Sequence, residues 1–185
     1  MKVALVIGHS QKSQGARNAT YGVSEFEFNR KLAHDIEREW SEHNMSDEIV
    51  VVYRETYEAL PHQINALGVD LVVSLHANAY DTKARGCEML YYHASTPGKI
   101  VATIFQERIF GVLRTINRGI KAKHSEDRGG YLLRTTQAPC IICEPFFIDN
   151  DADLLETDAM FDTGGLTNAF CEAINVSLIC LRGLK

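Results

Sequence analysis

The 185-residue chain has the length of one domain, and its composition, 45% hydrophobic and 23% charged, is globular rather than disordered or collagen-like. A formal net charge of −5 argues against a general nucleic-acid binder. No apolar run approaches the roughly 18 residues of a membrane span.

In chain order, residues 3–7 (VALVI) form a fully apolar run of strand length. The amino terminus passes straight from this run into Gly8-His9, without the longer apolar region and small-residue cleavage site of a secretory signal. The sequence therefore predicts synthesis in the cytoplasm without an export signal. From Glu25 to about His43, Phe28, Leu32, Ile36 and Trp40 recur every fourth residue, the pattern of an amphipathic helix with Ser24 as its N-cap. Residues 49–53 read as a second strand, 58–67 as a short helix and 69–75 as a third strand. Strands apolar on both faces, alternating with helices, predict a parallel sheet with helices packed on it. Residues 86–92 read as a further strand and Pro97 to about Asn117 as a helix. Residues 119–130, polar and glycine-punctuated, read as a loop, and Ala138–Glu144 as a last strand. Two helices follow, at about 151–157 and 159–180. The expectation is a single α/β domain, a mostly parallel twisted sheet with helices on both faces, filling residues 1–185 with no separate cell-wall-binding domain and a monomer by default.

Five cysteines, odd in number and set in apolar contexts, argue against a disulfide framework. Cys140-Ile141-Ile142-Cys143 has the spacing of a redox or zinc pair, but at strand periodicity its two thiols face opposite sides, which favours simple packing. Charge is uneven. Between Lys99 and Arg134 stand eight basic and three acidic residues, and between Glu144 and Asp162 seven acidic and no basic ones. Two solvated faces explain this, and so does a basic rim facing a carboxylate-bearing substrate.

Polar residues with chemistry to offer gather at the strand ends, where open parallel sheets bind ligands. His9 follows the first strand after Gly8, His76 follows the third, and Glu144 ends the last. Glu25 opens the long helix, with Glu27 as a nearby rival. Taken alone, each histidine can merely hydrogen-bond a loop, and Glu25 can merely favour a helix start. Together, two histidines and a carboxylate match the ligand set of a catalytic zinc site that leaves a position open for water. A second carboxylate is then available for proton transfer, so the set predicts metal-assisted amide hydrolysis. His34, His43 and His62 read as surface residues, whereas His93 and His124 lie in loop-like segments within reach of a substrate, with nothing that singles them out.

These motifs resemble those of the zinc-dependent N-acetylmuramoyl-L-alanine amidases of the amidase-3 type, which include phage endolysins. Val6-Ile7-Gly8-His9 resembles the first zinc-histidine motif, and Gly15-Ala16 the small pair after it. Glu25-Phe26-Glu27-Phe28-Asn29 is similar to the family's Glu-x-x-x-Asn helix start, which favours Glu25 over Glu27. Ser74-Leu75-His76-Ala77-Asn78-Ala79 resembles the motif of the third ligand, and Ala138–Glu144 followed by Phe147–Asn150 the segment of the catalytic glutamate. The resemblance implies Zn²⁺ held by His9, Glu25 and His76, and Glu144 as catalytic acid–base. The substrate implied is the amide between N-acetylmuramic acid and L-alanine in peptidoglycan, cut after the enzyme is released to the wall by another factor. Asn78, Arg128 and Arg134 are further candidates for substrate contacts. A zinc peptidase or amidohydrolase acting on a soluble peptide, or a non-catalytic wall-binding protein of the same fold, are the alternatives.

Overall fold

The computed structural model describes residues 1–43 and 46–184. The elements run β1 (Lys2–Ile7), α1 (Glu25–Glu42), β2 (Glu48–Tyr53), α2 (Leu60–Ala66), β3 (Leu71–Leu75), β4 (Cys87–Tyr92), α3 (Thr96–Val112), β5 (Asn117–Lys123), α4 (Gly130–Thr135), β6 (Cys140–Glu144), α5 (Asp151–Asp162) and α6 (Gly165–Gly183). One six-stranded sheet carries them, in the order β2-β1-β3-β6-β4-β5.

The alternation of side chains along each strand divides the core in two. Val3, Leu5, Ile7, Leu71, Val73, Leu75, Ile141 and Cys143 face the larger layer, where they pack with residues of α1, α3, α5 and α6. Ala4, Val6, Val72, Leu90, Cys140 and Ile142 face the smaller layer, with Leu60 and Ile64 of α2 and Leu132 and Leu133 of α4. Helices therefore cover both faces, and the central strands are largely apolar because neither face meets water. Cys140 and Cys143 fall in opposite layers, as strand periodicity predicts. Among the described residues no single helix is long and apolar enough to cross a membrane.

Four of the five strand pairings are parallel, and the β4–β6 pairing is antiparallel. β4 and β5 thus run opposite to the other four strands. Glu88, at the start of β4, lies across from Glu144, at the end of β6. The functional edge of the sheet therefore combines the carboxyl ends of β1, β3 and β6 with the amino end of β4.

Three boundaries differ from the sequence reading, one of them the break between the last two helices, expected near 158 and found between Asp162 and Gly165. The segment expected to be loop from 119 to 130 is strand as far as Lys123, because β5 is a polar edge strand (NRGIKAK) whose alternation brings little apolar signal. The helix expected to reach Asn117 stops at Val112, and Asn117 already belongs to β5. Gly130 then opens α4, a helix absent from the expectation. A Cβ at this glycine would lie 1.8 Å from the His124 carbonyl oxygen, so only glycine lets the 124–129 loop fold back so tightly.

Asp153 holds the site-bearing loops to the scaffold. Fully buried at the start of α5, it accepts hydrogen bonds from the Gly86 and Phe147 backbone N–H groups, each at 2.9 Å. Its other oxygen accepts from Arg85 Nε at 3.2 Å and from the Thr115 hydroxyl. Replacing it by alanine leaves two buried N–H groups without partners and takes from the Arg85 guanidinium one of its two carboxylates, Glu156 remaining at 2.7 Å. Asp153→Ala is expected to lower unfolding stability by about 3 kcal/mol in a urea titration; a loss below about 1 kcal/mol would contradict this account.

Candidate metal centre

The site is assembled from three sequence-distant segments that the sheet brings together. β1 ends at Ile7, and the Gly8 N–H donates to the Leu75 carbonyl at 2.8 Å, which locks the ends of β1 and β3 side by side. A Cβ on Gly8 would stand 2.4 Å from that carbonyl oxygen and 2.8 Å from the His76 ring, so glycine is required for the approach. His9 follows with φ +66°, a left-handed conformation uncommon for a residue with a side chain. On the other strand, the His76 N–H donates to the Cys143 carbonyl at 3.0 Å, extending the β3–β6 pairing by one residue.

Glu25 enters from the first turn of α1, 2% exposed. Ser24 caps this helix, accepting from the Glu27 N–H at 3.3 Å while its hydroxyl donates to the Glu27 carboxylate at 2.8 Å. That exchange occupies the exposed Glu27 in the cap and leaves Glu25 to face inward. Glu25 Oε1 lies 2.9 Å from His76 Nδ1 and accepts the Ala77 N–H at 3.1 Å. Oε2 lies 3.0 Å from His9 Nε2 and accepts the Ala16 N–H at 3.2 Å. Gly15, at φ +76°, permits this last contact, since a Cβ there would stand 2.5 Å from Oε2. Burial pushes the Glu25 carboxyl up, but the His76 and His9 imidazoles beside it win and hold it well below the usual carboxylate range.

One ligand atom from each of His9, Glu25 and His76 lies within 4.8 Å of the others. His9 Nε2 is buried and close to a carboxylate oxygen, yet it is not aligned for a hydrogen bond. A buried imidazole nitrogen of this kind, beside a second imidazole and a shared carboxylate, suits a divalent cation. The nitrogen–oxygen–nitrogen donor set is one that Zn²⁺ favours, so the residues fit the implied zinc.

Glu144 ends β6 on the same edge, with Oε2 buried and without a partner among the described residues. Burial first, and then the charge of Glu25, push its carboxyl well above the usual range. Arg128 opposes that rise, Glu88 adds to it and Lys123 opposes it. His9, His76 and Glu144 all line one cavity of about 460 Å³ on the α2–α4 face of the sheet. Leu60, Leu90, Leu132 and Ile142 give it an apolar floor; Arg54, Tyr57, Tyr131, Lys123 and Arg128 also line it.

Of the other residues singled out in the sequence, Asn78 lines the cavity and donates from Nδ2 to Glu88 at 3.1 Å. Arg128 lines it too, whereas Arg134 is exposed on α4 and is not among the lining residues. His93 and His124 stack on each other, ring centroids 4.1 Å apart and both exposed, beyond the far ends of β4 and β5. His34, His43 and His62 are exposed, as expected. Cys140 is buried with its thiol pushed up to about 12, and burial raises Cys143 likewise, in keeping with packing in opposite core layers. The sequence reading passed over Glu88, which accepts from Arg118 Nε at 2.7 Å beneath a guanidinium resting 5.0 Å from the Phe147 ring centre. A lone carboxylate inside an apolar strand was the signal for it. Arg54, just beyond β2, was passed over too; a cation directly after a strand end marked it.

Comparison with known proteins is consistent with this geometry. The sequence profile of the family described as N-acetylmuramoyl-L-alanine amidase matches residues 3–175. An uncharacterized cell wall amidase of Bacillus anthracis is 34% identical over 98 residues, 49% of this chain and 18% of that protein. N-acetylmuramoyl-L-alanine amidase LytC of Bacillus subtilis strain 168 is 27% identical over 154 residues, 79% of this chain and 29% of LytC. The chain therefore spans less than a third of the length of these curated relatives. Among solved structures, an N-acetylmuramoyl-L-alanine amidase from Clostridium difficile 630 superposes with a TM-score of 0.85 at 21% identity, covering 96% of each chain, a likeness of fold.

The Glu25 environment sets a pH dependence for the metal-free protein. Its proton affinity is lower folded than unfolded, so the stabilisation is complete above the ordinary value of 4.5 and is lost as pH falls from there toward the depressed folded value. After chelation of metal, unfolding free energy measured in urea is expected to fall between about pH 5 and pH 3. The fall should be shallower in Glu25→Gln; equal slopes for the two proteins would refute the assignment.

Proposed function

The chain belongs to the N-acetylmuramoyl-L-alanine amidase family, and from that premise we propose that it hydrolyses the amide joining N-acetylmuramic acid to L-alanine in peptidoglycan, with Zn²⁺ held by His9, Glu25 and His76. The observation that carries this reading is the convergence of those three donors within 4.8 Å, with Glu144 lining the same cavity. A scatter of residues over more than 130 positions has no packing reason to present two imidazoles and two carboxylates at one sheet edge.

Bound zinc supplies Lewis acidity there, polarising the scissile carbonyl and making water a stronger acid. The chain's own residues do the rest. Glu25, fixed by two backbone N–H groups, sets where the cation sits relative to the ends of β1 and β3. Glu144, its carboxyl raised by burial and by Glu25, takes a proton from the attacking water and gives one to the departing alanine nitrogen. The opposed shifts of Glu25 and Glu144 separate the two roles, one carboxylate kept ionised and one kept ready to hold a proton. Asn78 and Glu88, joined to each other beside Glu144, stiffen the wall against which the amide is placed.

The test is a digest of purified peptidoglycan analysed by mass spectrometry. Free N-acetylmuramic acid termini with L-Ala stems intact are expected, whereas cuts inside the stem would instead support a peptidase. Glu144→Gln is expected to retain about one zinc per chain and to lose at least roughly 100-fold in rate, while His9→Ala loses zinc and activity together. Full digestion by Glu144→Gln would remove it from the mechanism.

A further inference from the structure

Lys123 and Arg128 line the cavity, and the side chain of neither has an ion pair or hydrogen bond among the described residues. Arg85, Arg118 and Arg182, in contrast, each engage a carboxylate. In a chain of net charge −5, two cations left unpaired on one wall of one cavity ask for an anionic ligand. The acidic residues of that wall do not pair with them. Glu88 is engaged by Arg118 and Asn78, while Asp127, which accepts the His124 N–H at 2.7 Å, and the exposed Glu126 keep their charges without an ion pair to Lys123 or Arg128.

The direction of the reaction says which ligand group reaches this wall; this step rests on the amidase reading. The carbonyl carbon must lie at the His9–Glu25–His76 cluster, on β1, α1 and β3. The departing nitrogen must come within hydrogen-bond reach of Glu144, on β6. The acyl side of the substrate then points toward β1 and β2, and the peptide toward β4 and the 124–129 loop, where Lys123 and Arg128 stand. The second stem residue, a D-glutamate linked through its side chain, carries its free α-carboxylate about 7 Å from the scissile nitrogen, two residues of extended chain. The apolar floor of Leu90, Leu132 and Ile142 accommodates the alanine methyl between them and the glutamate methylenes that branch off beside the carboxylate.

We propose that Arg128 and Lys123 bind the α-carboxylate of the second stem residue, so that the enzyme selects stems with that carboxylate free over stems in which it is amidated. Arg54, at the opposite end of the cavity beyond β2, serves the acyl side and takes no part in this choice.

The test compares two synthetic N-acetylmuramoyl tripeptides, identical except that the D-glutamate α-carboxyl is free in one and amidated in the other, with the terminal carboxyl blocked in both. For the zinc-loaded protein at low ionic strength, kcat/KM is expected to favour the free acid by roughly tenfold, the size of one charge-assisted contact. The ratio should fall to near one in Arg128→Met/Lys123→Met, and survive in Arg54→Met. Because the readout is a ratio within each variant, loss of folded protein lowers both rates and cancels. Equal rates in the wild type, or a preference that persists in the double variant, overturn the carboxylate assignment while leaving the amidase reading intact. A preference abolished by Arg54→Met instead reverses the polarity and overturns it as well. If neither tripeptide is cut, the amidase reading fails, and this proposal fails with it.

Discussion

The site depends on one buried carboxylate. Glu25 is the meeting point of the loop after β1, the start of α1 and the end of β3, and each of its oxygens faces one imidazole and one backbone N–H. A carboxylate this deeply buried is tolerable only when such partners surround it, because desolvation alone would neutralise it. The glycines follow from that requirement. Gly8 lets the strand ends close on each other, and Gly15 lets the 10–16 loop bring its backbone to Oε2. What reads in the sequence as a pair of small residues is the space left for one oxygen atom.

The reversed strand explains much of what the sequence hid. A parallel sheet was legible from apolar runs such as VALVI and VDLVVSL, and so was the edge carrying His9, His76 and Glu144, because those residues follow their strands directly. In an all-parallel sheet the residues beyond Tyr92, His93 among them, would also reach this edge. β4 runs the other way, and its first residues, Cys87 and Glu88, arrive there instead. No local pattern in GCEMLYY encodes strand direction; it is set by which neighbour β4 finds after the short 76–86 connection. β5 was lost for a related reason, since an edge strand with one solvated side carries lysines and arginine where a central strand carries valine and isoleucine.

The helix cap decides which of two neighbouring carboxylates faces the histidines. Glu25 and Glu27 are both acidic residues in the first turn of α1, where either favours the helix dipole. Ser24 takes Glu27 into a reciprocal exchange at the surface, and the helical repeat then turns Glu25 about 200° away, toward the core. The cap brings Glu25 between His9 and His76 because it fixes the rotation of the helix about its own axis.

Burial has opposite consequences for the two site carboxylates, and the difference lies in their partners. Glu25 has two imidazoles and two N–H donors, so its charge is held. Glu144 has an oxygen with no partner and two acidic neighbours, and the cations nearest it, Arg128 and Lys123, stand across the cavity rather than in contact. A contacting arginine would have fixed Glu144 as a spectator anion. Held at a distance, the same cations moderate the rise without removing it and keep their own donors free. The arrangement therefore leaves one carboxyl and two cations uncommitted, and the proposed substrate, bearing both an amide and a nearby carboxylate, would engage them together.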